Sequence, residues 1–286
     1  MILQNRMQLL RYVAADRSFT FRHARDEQPN PGDHLPHYEH GYEIYLFLSG
    51  EGTYTIEGCL YSLEPYSLLI MNPNELHVLH ISEQLPYERI VITLQETFLP
   101  PFLTNGVDFF RGFKFRSPGH GNKIDADTVR KGDLLPLLVK LEHLLGKRNA
   151  ENEFVARCVL VELLAAINRI VEQGGVAQSQ HHVSPKIAEA LEFINTHLSE
   201  DLHLDQLAER LYISKYHLCR LFKKETGYSI NQYIHYKRIR LADQLMQDGY
   251  SPTQACYMTG FNSYSNFYKT YRKLTGTSPR TYGKRA

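Results

Sequence analysis

The fold is decided by SKYHLCRLFKKETGYSINQYIHYKRIRLADQLM, residues 214–246, and GFNSYSNFYKTYRKLTGTSPRTY, residues 260–282. In the first, Leu218, Leu221 and Phe222 recur at helical spacing, while Lys215, Tyr216, Cys219, Arg220 and Lys223 fall on the other face. Ser214 stands where a helix N-cap belongs, and Gly227 where a left-handed residue ends the helix. A shift of 49 residues superposes Ser214 on Ser263, Leu218 on Phe267, Phe222 on Tyr271, Thr226 on Thr275 and Gly227 on Gly276. The same helix is written twice.

Each copy follows a shorter helical pattern: Leu204, Leu207 and Leu211 with the small Ala208, and Ser251-Pro252 through Ala255 to a turn at Gly260-Phe261. A small residue at the crossing suits a helix-turn-helix, whose second helix can enter a major groove. Between the two units, Ile230 to Gln247 has no helix breaker and predicts a helix of roughly 27 Å. Upstream, Ser184 as N-cap and Pro185 at the first helical position introduce Ile187, Leu191, Ile194 and Leu198 on one face. Leu218, Phe222, Phe261, Phe267 and Tyr271 read as core.

The formal net charge of +1 hides an asymmetry. Residues 184–286 hold 15 basic and 9 acidic side chains, a net +6, against 17 and 22, a net −5, for residues 1–183. From Arg210 onward the counts are 14 and 3. A basic, Tyr-rich helical block points to a polyanion partner.

The N-terminal part has a different period. Between Phe19 and Leu94, YEIYLFLSGEG, TYTIEGCLYSL, SLLIMNPNELHVLHIS and YERIVITL alternate like antiparallel strands, with turns at residues 49–52, at Glu57-Gly58 and at residues 72–74. Short strands at this spacing predict a small sandwich or barrel, an enclosure for one small ligand. From Asp133 the pattern becomes helical: Leu134, Leu137, Leu138, Leu141, Leu144 and Leu145, then Phe154, Val155, Val159, Leu163 and Ile167. Two such helices could cover the barrel, supply a stripe for a partner subunit, or both. Residues 174–183, opening with Gly174-Gly175, read as a linker.

No run of 18 apolar residues occurs, and the N-terminal stretch is broken by Gln, Asn and Arg, so neither a membrane span nor a secretory leader is expected and the chain is placed in the cytoplasm. Cys59, Cys158, Cys219 and Cys256 form no C-x-x-C pair and read as reduced thiols. The phosphate loop, the nucleophile elbow and the H-E-x-x-H helix are absent from the sequence, so the common hydrolase and nucleotide chemistries lack support.

Through residues 214–246 and 260–282 the chain resembles the AraC/XylS family of bacterial transcription regulators, strongly over about 100 residues. Residues 1–183 resemble, more loosely, the cupin-type effector domain that many members carry. The resemblance implies base-reading side chains at Tyr216, Cys219 and Arg220 and at Tyr264, Ser265, Asn266 and Lys269. Arg220 leads, because a guanidinium pairs bidentately with guanine O6 and N7. An apolar contact, to a thymine methyl, is expected at Cys219. Lys215, Lys223 and Arg272 are expected on phosphates, as are the helix N-termini at Ser214 and Ser263. Partners implied are double-stranded promoter DNA, RNA polymerase and a second copy of the chain, with activation the family's usual outcome.

The densest polar cluster is HLPHYEHGYEIYLFLSG, with His34, His37, Glu39, His40 and Glu43, followed by His77 and His80. Cupin enzymes hold a divalent metal with an H-x-H-x(3,4)-E pattern and a distant histidine; here Glu39 stands at the second histidine position. If the strand is continuous, His37, Glu39 and Glu43 share its face. Effector contacts are therefore assigned to His37, Glu39, Glu43, Tyr45 and His77, with no metal and no other cofactor. An acceptor-rich pocket with aromatic faces suits a sugar-like ligand.

The sequence thus predicts an α+β multidomain protein. Residues 1–132 form a cupin-like effector-binding β-barrel domain, 133–173 a helical dimerisation segment, 174–183 a linker, and 184–286 an all-α DNA-binding domain with two helix-turn-helix motifs. The function expected is sequence-specific transcription regulation under a small-molecule effector, not catalysis. Two alternatives stay open: a metal-dependent cupin enzyme with an appended DNA module, and a constitutive architectural DNA binder.

Overall fold

The computed structural model describes residues 6–30, 32, 34–73, 75–99, 107–177 and 183–279. Two compact units divide the chain, Met1–His181 and His182–Ala286.

In the first unit, alternation of side chains builds two sheets. Strands β1 (Arg6–Val13), β2 (Phe19–Asp26), β3 (Tyr42–Ser49), β6 (Leu68–Met71), β8 (Tyr87–Leu94) and β9 (Lys123–Ile124) form one sheet in the order β1-β2-β8-β3-β6-β9. Strands β4 (Gly52–Ile56), β5 (Cys59–Ser62) and β7 (His77–Ile81) form the other in the order β5-β4-β7. The paired strands are antiparallel. The two sheets share one core, and the expected strands from Tyr42 to Leu94 are all present.

The β4–β5 hairpin shows why its turn was readable. Ile56 pairs with Cys59, and Glu57 (φ 47°) and Gly58 (φ 84°) both take the left-handed conformation of a two-residue hairpin loop. Glu57 tolerates it with its carboxylate accepting from the Leu76 N–H at 2.7 Å.

The period-two alternation of β3 supplies two cores at once. Ile44 and Leu46 face a helical layer, while Tyr45 and Phe47 face the second sheet. The helical layer consists mainly of α3 (Leu134–Gly146) and α4 (Ala150–Glu172), following the short α1 (Arg111–Lys114) and α2 (Ala126–Lys131). His23 of β2 clips this layer to the sheet, one ring nitrogen 2.5 Å from Glu142 of α3 and the other 2.9 Å from Glu88 of β8.

Packing accounts for nearly all of the predicted helical stripe. Leu134, Leu137, Leu138, Leu141, Leu145, Val159, Leu163 and Ile167 are buried in this unit's own core, and Leu144 and Val155 are half-buried. Phe154 alone of that set is exposed, at 70%. Of the expected linker, the Ala177 N–H donates to Lys123 O of β9 at 2.8 Å, and residues 178–182 lie outside the described residues.

The second unit is all helical: α5 (Pro185–Thr196), α6 (Leu204–Arg210), α7 (Lys215–Thr226), α8 (Ile230–Gln247), α9 (Pro252–Met258) and α10 (Tyr264–Thr275). Gly227 (φ 80°) and Gly276 (φ 71°) end α7 and α10 in the left-handed conformation predicted for them. Ser229 and Ser251 start α8 and α9 with capping boxes, closed by Gln232 and Gln254. Leu218, Phe222, Phe261, Phe267 and Tyr271 are buried, as expected of core. Two serines depart from the expected capping. Ser184 and Ser263 occupy N-cap positions, yet neither side chain makes a capping hydrogen bond.

Candidate functional site

In the helical unit, α6–α7 and α9–α10 are the two helix-turn-helix units. On α7 the side chains of Lys215, Tyr216, Arg220 and Lys223 are exposed, and Cys219 is half-buried. Lys215 Nζ sits 2.9 Å from Asp205 Oδ2 of α6, so it must leave that surface pair to meet a phosphate. On α10, Ser265, Asn266, Lys269 and Arg272 are exposed and Tyr264 is half-buried against Phe267 and Tyr268. No acidic residue occurs between Tyr264 and Thr275. Both helices therefore present a cationic, hydrogen-bonding face over an apolar underside, which suits a groove lined by phosphates.

Helix α8 joins the units through its charged groups. Arg238 donates to the carbonyls of Leu198 (2.9 Å) and Glu200 (2.6 Å) beyond α5, and its guanidinium lies over the Phe261 ring beyond α9. The Tyr271 hydroxyl of α10 donates to Asp243 Oδ1 of α8 at 2.6 Å, with both residues buried.

In the β unit, the cluster predicted around Glu43 forms by a different route from strand parity. Strand β3 begins only at Tyr42. Just before it the backbone of Gly41 passes so close to Leu94 that a Cβ there would lie 2.5 Å from the Leu94 carbonyl oxygen. His37 instead pairs with His77 of the other sheet, exchanging backbone hydrogen bonds of 3.0 and 2.9 Å, and the two rings lie 4.5 Å apart. Continuity of His37, Glu39 and Glu43 along one strand is thus corrected, although the residues still meet: His37 Nε2 lies 3.9 Å from Glu39 Oε1, and His77 Nε2 lies 4.0 Å from Glu43 Oε2.

His77 is fully buried, and its Nδ1–H donates to the Glu75 carbonyl at 2.9 Å. That bond leaves Nε2 as a bare acceptor, without a hydrogen-bond partner among the described residues. Burial, reinforced by His37, pushes the imidazole pKa well below its usual value, and burial with Glu39 pushes the Glu43 carboxyl well above its own. Both directions favour uncharged forms. Tyr54 stands 5.7 Å from the His77 ring and 5.1 Å from the Tyr45 ring, and the hydroxyls of Tyr45 and Tyr87 are 2.7 Å apart. The five predicted effector residues and two further tyrosines thus form one polar and aromatic cluster. Among the described residues no group of three or more His, Cys, Asp or Glu side chains has an arrangement that could hold a metal ion. No described helix is long and apolar enough to cross a membrane.

Sequence reasoning missed β1, and with it Arg11. In register, Arg11 stands opposite Arg22 and Arg22 opposite Val91 of β8. Only the pairing of strands reveals this.

Comparison with known proteins agrees with both halves. An AraC-like ligand binding domain model matches residues 22–167, just over half of the chain, and a helix-turn-helix domain model matches residues 207–285. YbfI of Bacillus subtilis, an uncharacterized HTH-type transcriptional regulator, is 25% identical over 235 residues, covering 81% of either chain. The multiple antibiotic resistance protein MarA of Salmonella typhimurium is 33% identical over 95 residues, 32% of this chain and 73% of MarA. The regulatory protein PocR of the same organism is 33% identical over 98 residues, 34% of this chain and 32% of PocR. With a ligand-binding unit and a double helix-turn-helix unit on one chain, the protein belongs to the AraC family of DNA-binding transcription regulators.

Proposed function

We propose that this regulator is a cytoplasmic transcriptional activator, without enzymatic activity, whose β unit binds a sugar-like effector and whose two helix-turn-helix units read a bipartite promoter site. The observation that carries the effector assignment is the bare Nε2 of buried His77, 4.0 Å from the buried Glu43 carboxyl. A ligand hydroxyl can donate to that nitrogen and accept from that carboxyl, while Tyr45 and Tyr54 offer faces to C–H patches.

On DNA, Tyr216, Cys219 and Arg220 read one box and Tyr264, Ser265, Asn266 and Lys269 the other, with Ser214, Lys215, Lys223, Ser263 and Arg272 on the backbone. Two copies pair through α4, where Phe154 and Cys158 are exposed and Val161 and Ala165 half-exposed at the spacing of a helical seam. The effector acts by favouring one presentation of the paired DNA-binding units to RNA polymerase, through unequal affinity for the two states.

The test is selection of sites from a random duplex library, followed by affinities at two salt concentrations. Arg220→Ala and Lys269→Ala should each cost about 1–3 kcal/mol at the box of its own helix. Weak enrichment with uniform, steeply salt-dependent binding would instead identify a sequence-blind polyanion surface. Phe154→Asp should shift the chain towards monomer in sedimentation, and an unchanged mass would remove α4 from the interface.

A further inference from the structure

Among the described residues of the helical unit, Tyr212 is the one non-glycine with a left-handed backbone (φ 53°), a conformation that crowds any Cβ and seldom holds a bulky side chain. In the β unit three such residues recover the cost through their side chains. Glu57 accepts the Leu76 N–H, the Tyr66 ring carries the Arg130 guanidinium at 4.7 Å, and Arg148 donates to the Arg11 carbonyl. Arg17, in the loop after β1, and Tyr212 recover nothing. The Tyr212 side chain is 92% exposed, and it has no hydrogen-bond, ring or cation contact among the described residues. The matching position of the second helix-turn-helix unit holds Gly260 (φ 82°), so the turn itself asks for no side chain. Strain kept without packing in return points to a contact with another molecule.

The surroundings of Tyr212 say which molecule. It lies two residues before Ser214, the N-cap of α7, and the exposed phenol of Tyr216 lies two residues after that cap. Lys186 of α5 reaches the same turn: its Nζ donates to Leu211 O at 3.1 Å, and it makes no ion pair among the described residues. Two acids of this corner are already paired, Glu189 with Arg210 at 3.1 Å and Asp205 with Lys215 at 2.9 Å. The first turn of α7 contains no acid. A phenolic O–H and an ammonium with donors to spare thus stand at the turn that leads into α7. A helix-turn-helix presents the start of its second helix to base edges, and phosphates wall the groove that this helix enters.

We propose that the α6–α7 turn is a phosphate clamp, in which the Tyr212 hydroxyl and the Lys186 ammonium hold one backbone phosphate at the edge of the box that α7 reads. The ligand is a phosphodiester rather than a base, because a single phenol and a point charge lack the bidentate pattern that tells bases apart. Gly260 carries no hydroxyl, so the second unit has no such clamp and the α7 box is the more firmly anchored of the two. This inference rests on the reading that α7 enters the major groove.

The experiment is equilibrium binding of the full-length protein to two duplexes, the site recovered by library selection and a mixed-sequence duplex of equal length. Wild type is compared with Tyr212→Phe, Lys186→Gln, the double variant and Arg220→Ala. Tyr212→Phe keeps the ring and lacks the donor; it should melt as wild type does yet bind both duplexes about three- to tenfold more weakly. Lys186→Gln should weaken both and lower the slope of log affinity against log salt by about 0.9, the release of one phosphate contact. A methylphosphonate at one position beside the α7 box should weaken wild type and leave the double variant indifferent. Unchanged affinity in both single variants would overturn the clamp, and a fall in transcription without one in affinity would give the turn to a protein partner instead. A loss confined to the selected site would make Tyr212 a base reader and overturn the clamp as well. Arg220→Ala separates the failures. If it weakens the selected site while the turn variants are silent, the clamp alone is lost; if it too is silent, α7 does not enter the groove and both readings fall.

Discussion

The two helix-turn-helix units share a backbone turn but differ in what surrounds it. In the first, the Ile213 N–H donates to the Ala208 carbonyl at 3.1 Å; in the second, Phe261 does the same to Cys256 at 3.2 Å. Both turns need a left-handed residue. The first uses Tyr212 (φ 53°), whose side chain stands 92% exposed, and the second uses Gly260 (φ 82°), which has no room for a side chain. A Cβ at position 260 would lie 2.7 Å from the Leu198 carbonyl oxygen and 2.9 Å from Arg238. The first turn is open to solvent, while the second is closed against the loop after α5. One repeated motif thus obeys two constraints: local conformation alone at 212, conformation plus a close backbone approach at 260.

Gly260→Ala should break the comparison most severely. The left-handed conformation and the collision with Leu198 together should destabilise the helical unit by about 3 kcal/mol, read by denaturant unfolding. Tyr212→Ala should stay within about 0.5 kcal/mol of wild type, and Tyr212→Gly should be neutral or slightly stabilising, because relief of the strained backbone is offset by extra freedom in the unfolded chain. Equal costs at 212 and 260 would mean that the second turn relaxes away from Leu198.

The anchoring of the two recognition helices differs next in size. Phe222 of α7 and Tyr271 of α10 are equivalent in the 49-residue shift, and both are fully buried. Only Tyr271 carries a hydroxyl, spent on Asp243 of α8. Tyr271→Phe should therefore cost about 1–3 kcal/mol, because it removes a hydrogen bond from a buried carboxyl-bearing residue. A loss below about 0.5 kcal/mol would show that Asp243 is held by its other contacts, and α10 would then depend on packing as α7 does.

The 49-residue repeat was legible because helix starts, helix ends and inward residues recur in α7 and α10 at that offset. The helices before them do not keep it: Leu211 ends α6 and Thr259 ends α9, an offset of 48. The second turn is one residue longer before its N-cap, a difference invisible to a comparison that follows the recognition helices.

In the β unit, alternation revealed the strands from Tyr42 to Leu94 but not β1. There the register shifts between Gln8 and Leu10, and a bulge sets Leu9 and Leu10 side by side, which erases the period. The site was half legible for the same reason. Glu43 and Tyr45 follow from strand parity, whereas His37 reaches His77 through a bridge between distant segments, and Arg11 meets Arg22 only through register. Contacts that depend on which strands pair cannot be counted off along the chain.

The smallest difference concerns the serines that begin the recognition helices. Ser214 (φ −69°) accepts the His217 N–H on its side chain, while Ser263, after the longer turn, is more extended (φ −148°) and makes no such bond. Ser214→Ala should cost about 1 kcal/mol of stability, and Ser263→Ala no more than a few tenths. On DNA the ranking should invert. A hydroxyl engaged in capping must give up its intrahelical bond to meet a phosphate, but the Ser263 hydroxyl has no capping bond to lose. Ser263→Ala should therefore weaken operator binding more than Ser214→Ala once both are measured under conditions where each variant is fully folded. If Ser263→Ala instead lowers stability and leaves DNA affinity unchanged, its hydroxyl caps α10 after all, and the extra residue in the second turn makes no difference to how the helix begins.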